Sequence, residues 1–288
     1  MKFAFSTIAC PDWTLDRVAA LAQSAGYTGV ELRSMGYAGS GLACEPALTS
    51  PSKLQSILRG AGAQPCCLST SCRFDAPIEP PIIGWAISDH NRSAREAKGM
   101  VELAADLGCP MIRVFGFEFT SRERKVSAID RIVSRLLQVA DAGRARQVRV
   151  AVENGGSFAS AAALAELLDA ADHPSLGAVY NTATAHSAGD TLSSGLNVLS
   201  DRLLMLKLKD LKDGKPCVLG EGQVPCQAAL SSASAAGYDA WVSHEFDRAW
   251  FKDMPDPATA LTTAAERMYQ WAARPKTAGT GRIATTAH

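Results

Sequence analysis

Short apolar runs rich in β-branched residues alternate along this chain with longer stretches whose apolar positions recur every three or four residues. The first kind reads as strands buried on both faces of a parallel sheet, the second as amphipathic helices. Strands are predicted over 3–9, 28–33, 64–71, 111–117, 148–154, 176–181, 203–210 and 240–246. Helices are predicted over 15–25, 52–60, 89–107, 121–145, 159–171, 192–199, 226–236 and 257–273. Thr14 is placed to cap the first helix, and Gly26, Gly108 and Gly237 stand where helical patterns stop. Eight strand–helix units predict an α/β fold, a (β/α)8 TIM barrel in a single domain over 1–273, with an open doubly wound sheet as the alternative. The Pro-rich stretch from Arg73 to Trp85 reads as a loop at the barrel mouth, suited to a wall or lid. Residues 274–288 are rich in Thr, Ala and Gly without periodicity and are expected to form a flexible tail.

The run VRVAVEN, Val148 to Asn154, carries the first sign of chemistry. Glu153 ends a strand predicted to be buried on both faces, and in a (β/α)8 barrel that end is the mouth where active sites are built. Side chains alternate between barrel interior and exterior, so the residues at the mouth follow from parity. Glu153 shares a face with Ala151, Asn181 with Val179, Lys207 with Met205, and Glu245 with Ser243. Glu31 on strand two and Arg113 on strand four complete an expected polar ring over an apolar barrel.

The ordered motifs TGVELR, AADLGCPMIRVFG, AVEN, KLKD, LGEGQVP and HEF resemble those of the sugar isomerase and epimerase group of xylose-isomerase-like TIM barrels, over roughly the first 270 residues. The resemblance implies a divalent metal held by Glu, Asp, His and Glu at the ends of strands five to eight. Those positions are Glu153, Asn181, Lys207 and Glu245 here, so both glutamates match and both middle ligands do not. A protonated lysine offers three donors and no acceptor, and it repels a neighbouring metal. The expectation is a degenerate or absent metal site and no cofactor, with Mn or Mg at Glu153 and Glu245 as the alternative. His186 and His244 are the other imidazoles to weigh, though His244 adjoins Glu245 and should face away from the interior.

A Lys207 ammonium between two carboxylates would relieve their mutual repulsion and leave an arrangement suited to proton transfer beside a carbonyl. The resulting expectation is an isomerase or epimerase acting on a small sugar, keto-sugar or polyol. Glu153, Glu245 and Lys207 are its catalytic candidates, with Asn181, His186, Glu31, Arg113 and Lys209 binding substrate. A Schiff base on Lys207, a lyase or dehydratase sharing the first proton abstraction, and a non-catalytic sugar-binding barrel are the competing readings.

Composition narrows the field from outside. In 288 residues, 47% hydrophobic content supplies a sizeable core, and 29 Lys+Arg against 29 Asp+Glu leave no net charge to favour nucleic acid or an anionic membrane. With five His, a multi-metal nuclease of the same superfamily is disfavoured. No apolar run approaches the length of a membrane span and the N-terminal stretch lacks a signal-peptide pattern, so a cytoplasmic enzyme is expected, with a homo-oligomer compatible. The eight cysteines show no repeated CxxC spacing and read as reduced, buried small hydrophobes. No general base stands near Cys72 in sequence to make it a nucleophile.

Overall fold

A computed structural model describes residues 1–36, 41–77, 91–119 and 123–273. Its eight parallel strands are β1 Lys2–Ser6, β2 Gly29–Arg33, β3 Gln64–Arg73, β4 Met111–Phe115, β5 Arg149–Glu153, β6 Leu176–Asn181, β7 Leu203–Leu208 and β8 Trp241–His244. They close into a barrel in sequence order, with β8 pairing back onto β1. The expected (β/α)8 barrel is therefore the fold. The outer helices are α1 Leu15–Ala25, α2 Pro51–Gly60, α3 Arg92–Leu107, α4 Lys125–Arg146, α5 Ala161–Ala171, α6 Thr182–Ser187, α7 Leu192–Leu199, α8 Cys226–Ala235 and α9 Pro257–Ala272. None of the described helices is long and apolar enough to cross a membrane. Most of the expected mouth loop and the whole of the expected tail lie outside the described residues.

Local chemistry sets the ends of the elements. Thr14 caps α1 by accepting from the Arg17 amide, and Gly26 ends it in the left-handed conformation at φ 79°. Outward-facing strand residues such as Ile112, Val150, Val152, Leu206 and Val242 pack with the helical Val101, Leu136, Leu164, Leu230 and Leu261 in one fully buried layer. Each such side chain contributes about 1.5–3 kcal/mol on leaving water. A second apolar cluster, which includes Ala4, Cys67, Met111, Ala151, Val179 and Met205, fills the barrel interior. This is the inner face that parity predicts, and the polar mouth stands directly above it.

Three local features depart from the expected elements. Residues Thr7–Ala9 turn into a 3-10 helix, so β1 ends at Ser6. The short α6 follows β6 without a break, because the Asn181 side chain caps it by accepting from the Ala183 and Thr184 amides. A two-stranded hairpin pairs Leu211–Lys212 with Lys215–Pro216 inside the stretch expected to be loop. A register shift between β2 and β3 also leaves Cys66 as an extra residue, so Cys66 and Cys67 both border the inner cluster rather than facing opposite ways. Burial raises both thiols, Cys67 to about 12, which keeps them protonated.

Candidate active site

Lys207 lies at the end of β7 and is fully buried. Its Nζ is 2.9 Å from Glu31 Oε1, 2.9 Å from Glu153 Oε2 and 2.8 Å from Glu245 Oε2. Of its three N–H donors, two are given to Glu153 and Glu245, and Glu31 stands beside the ammonium as an ion-pair partner. Burial alone would favour the neutral amine, but Glu153, Glu245 and Glu31 reverse that and hold Lys207 well above its ordinary pKa. The lysine is a fixed cation. That state does not suit the Schiff-base reading, which needs a free amine.

The carboxylates differ in how tightly they are held. Glu31 is fully buried, accepts from the Ser69 and Ser243 hydroxyls and is ion-paired with Lys207. Burial pushes its carboxyl up, while Lys207 and Arg113 pull it below the usual range. Glu153 pairs with Arg113 Nε at 3.0 Å and accepts from Asn181 Nδ2 at 2.8 Å. Glu245 lies one residue past β8 and keeps 11% exposure, with Oε1 only loosely approached by Lys209 Nζ at 3.4 Å. Burial raises the Glu245 carboxyl, but Lys207, Lys209 and Arg113 outweigh it and hold the group well below its ordinary value.

Lys209 extends the network outward. It pairs with Asp247 and Glu245, and its side chain is 20% exposed. It lines a cavity of about 460 Å3 with Thr184, Ser187, Leu211, Asp247 and Phe251. A volume of that order is within the range of small-molecule sites. On the other side of the mouth, Arg33 donates to Ser69 O at 3.0 Å and Ser71 Oγ at 2.8 Å. Glu31, Glu153, Glu245 and Asp247 stand against Arg33, Arg113, Lys207 and Lys209, so the assembly is electroneutral. Removing one charge from a buried set of this kind is strongly destabilising, because it leaves another uncompensated.

The structure thus brings Glu31, Arg113, Glu153, Asn181, Lys207, Lys209 and Glu245 into one assembly of ion pairs and hydrogen bonds. His186 stands apart, exposed on α6. His244 faces away from the interior, where its Nδ1 lies 3.1 Å from Leu208 O and burial lowers its pKa to about 4. Burial raises the Cys72 thiol, so it is no ready nucleophile. Arg33 and Asp247 were not singled out beforehand, although each lies two residues past a predicted site residue, Glu31 and Glu245, on the same alternation. Asn154 and Asp210 act as ties. Asn154 accepts from the Asn181 amide and donates to Ala159 O and Asn181 O. Asp210 accepts from the amides of Leu211, Gly220, Gly222 and Val224, and a Cβ on Gly222 would collide with its carboxylate. These contacts explain the KLKD and LGEGQVP motifs as one folded loop beside Lys209.

A family model described as a xylose isomerase-like TIM barrel matches residues 19–271. The chain belongs to that family. Among solved structures it is similar to the IolI protein with a bound zinc atom, at 18% identity and TM-score 0.76, covering 94% of this chain and 98% of that one. An L-ribulose 3-epimerase aligns at 14% identity and TM-score 0.76, over 94% and 96% of the two chains. The probable 3-DHS dehydratase AsbF of petrobactin synthesis from Bacillus anthracis aligns at 15% identity and TM-score 0.75, over 93% and 99%. No curated protein matches in sequence. At these identities the structural likeness establishes the fold.

The four positions at which the family resemblance implies metal ligands can be tested on the geometry. Asn181 turns its Oδ1 to the α6 amides and presents its NH2 to Glu153. Lys207 occupies the point on which the carboxylates converge and offers donors where a cation needs acceptors. As arranged, this donor set does not fit a divalent ion.

Proposed function

We propose that this barrel is a metal-independent isomerase or epimerase that removes a proton alpha to the carbonyl of a small keto-sugar or polyol. The observation that carries the reading is the Lys207 ammonium held by three carboxylates at the centre of the mouth. In place of an ion, the chain supplies a fixed positive charge on its own side chain.

Glu245 acts as the base. It is the most exposed of the three carboxylates around Lys207, it is ionised, and it lies 3.4 Å from Lys209, which lines the cavity. A carboxylate held this low is a weak base, so the developing enediolate needs strong stabilisation. Lys209 supplies it, since its side chain is 20% exposed and lines the cavity whereas Lys207 is fully buried among three carboxylates. Glu245 takes the proton from the alpha carbon, the negative charge collects on the carbonyl oxygen facing Lys209, and a proton returns to the neighbouring carbon or to the opposite face. Return to the neighbouring carbon, with the alpha hydroxyl's proton passing to the former carbonyl oxygen, isomerises the ketone; delivery of a proton to the opposite face by a second donor, such as water, while Glu245 keeps the first, epimerises it. Where a hydroxyl stands beta to the carbonyl, the same intermediate can expel it, which is the lyase alternative.

The saturation of Lys207 also suits a barrel that binds sugar without turning it over. Exchange of the alpha proton separates the two readings. Incubation of pentuloses, hexuloses and their 2-keto acids in D2O, followed by NMR, is expected to show deuterium entering the alpha position of at least one compound. Binding without exchange across the panel would overturn the enzymatic reading.

A further inference from the structure

Of the four cations at the mouth, three have carboxylate partners: Arg113 with Glu153, Lys207 with Glu31, Glu153 and Glu245, and Lys209 with Glu245 and Asp247. Arg33 is different. Its guanidinium donates to a backbone carbonyl and a serine hydroxyl, and no carboxylate of the described residues forms an ion pair with it. Those two bonds use two of its five donors and fix the plane of the guanidinium. The group keeps 9% exposure where Lys207 keeps none. It sits at the end of β2, and its amide donates to Thr7 Oγ1 just past β1. Beside it on β1, Ser6 Oγ is buried without a partner, in register with Glu31.

We infer that Arg33 is a specificity-determining residue that selects substrates bearing a carboxylate beside the ketone. A guanidinium presents paired donors that match the two oxygens of a carboxylate, and such charge-assisted bonds are strong in a partly dry site. The eight charges of the mouth already sum to zero, so a ligand adds its own charge to the assembly, and a monoanion adds less than a phosphate dianion. Burial, followed by repulsion from Arg113, lowers the Arg33 pKa to about 10, and an anion at its edge would relieve both. The carboxylate then lies toward β1 and β2, and the carbon that loses its proton lies toward Glu245, just past the β8 strand that pairs with β1. Carboxylate selection belongs to the same site as the proton transfer and rests on that reading, but it is detected by binding alone.

2-Keto-D-gluconate and D-fructose make a matched pair, differing only by a carboxylate in place of the C1 hydroxymethyl, and the corresponding pairs of the pentulose and hexulose series extend it. Calorimetric titration of the full chain is expected to give, for at least one pair, binding of the acid about 10- to 100-fold tighter than that of the neutral ketose. Arg33→Gln should bring that ratio close to one, and Arg33→Lys should keep part of it. A residue that only anchored β3 would move both ligands together. An acid preference absent from every wild-type pair, or surviving in Arg33→Gln, overturns the assignment. If Arg33→Gln does not fold, as a melting curve will reveal, the wild-type ratio and its reduction in Arg33→Lys decide the matter. Alpha-proton exchange without acid preference refutes only the role of Arg33, whereas acid preference without exchange refutes only the proton transfer.

Discussion

Replacing Lys207 by methionine is expected to destabilise the protein by about 3–5 kcal/mol at neutral pH, lowering the melting temperature by roughly 10 °C. Methionine fills a similar volume, so the loss is electrostatic. Three carboxylates that now share one ammonium, at 2.8–2.9 Å each, would be left facing one another out of water. The pH dependence carries a sign. Glu31 and Glu245 are held below their ordinary 4.5, so their contribution in the wild type is present above that value and is lost as pH falls through the lower folded one. Lys207 is held above its ordinary 10.5, so its contribution is present below that value and is lost as pH rises through the higher folded one. In the variant, like-charge repulsion raises the carboxyls, and acid neutralises them at little cost. The gap between wild type and variant should therefore be widest near neutrality and narrow toward pH 4, as read by thermal denaturation across a pH series. A variant as stable as the wild type at pH 7 would mean that the cluster is not the paired assembly described.

The second large effect is on chemistry. Glu245→Gln keeps the shape of the side chain and leaves Lys207 two carboxylates, so folding should survive with a modest change in melting. Removal of the base is expected to slow alpha-proton exchange about 100- to 10,000-fold. The loss should appear in kcat, with KM little altered, because the amide still fills the same space. Since Glu245 is ionised far below neutrality and Lys209 is held cationic above its ordinary range, wild-type exchange should be nearly flat from about pH 5 to pH 9. A wild-type rate that rose tenfold per pH unit through neutrality would point to a base other than Glu245. Exchange undiminished in Glu245→Gln would also remove Glu245 from the proposed mechanism.

The barrel was legible because its signals are periodic. β-Branched runs of 4–8 residues between helical stretches define the strands, and four, β3, β4, β6 and β7, begin where the pattern places them. Alternation also selected the face that carries Glu153, Asn181, Lys207 and Glu245, and these side chains do meet. What alternation cannot supply is height, reach or accessibility. Arg33 and Asp247 lie on the right face one step farther out, and the pattern gave no reason to stop at one step or the other. His186 sits on a six-residue helix, too short to show a periodicity, where strand parity does not apply. The two cysteines at 66 and 67 escaped the rule through a bulge, since one extra residue resets the alternation. The division of labour within the mouth, with Lys207 saturated and Lys209 open, depends on distances that no spacing in the chain encodes.

In the proposed mechanism an internal ammonium serves where the family resemblance implies a metal ion. The most direct test is alpha-proton exchange by the full chain after exhaustive treatment with a chelator, with metal content measured by elemental analysis on the same sample. We expect far less than one divalent ion per chain and an exchange rate unchanged by the chelator or by added Mn2+ or Mg2+. A stoichiometric ion in the active protein, or exchange abolished by the chelator and restored by the metal, would contradict it.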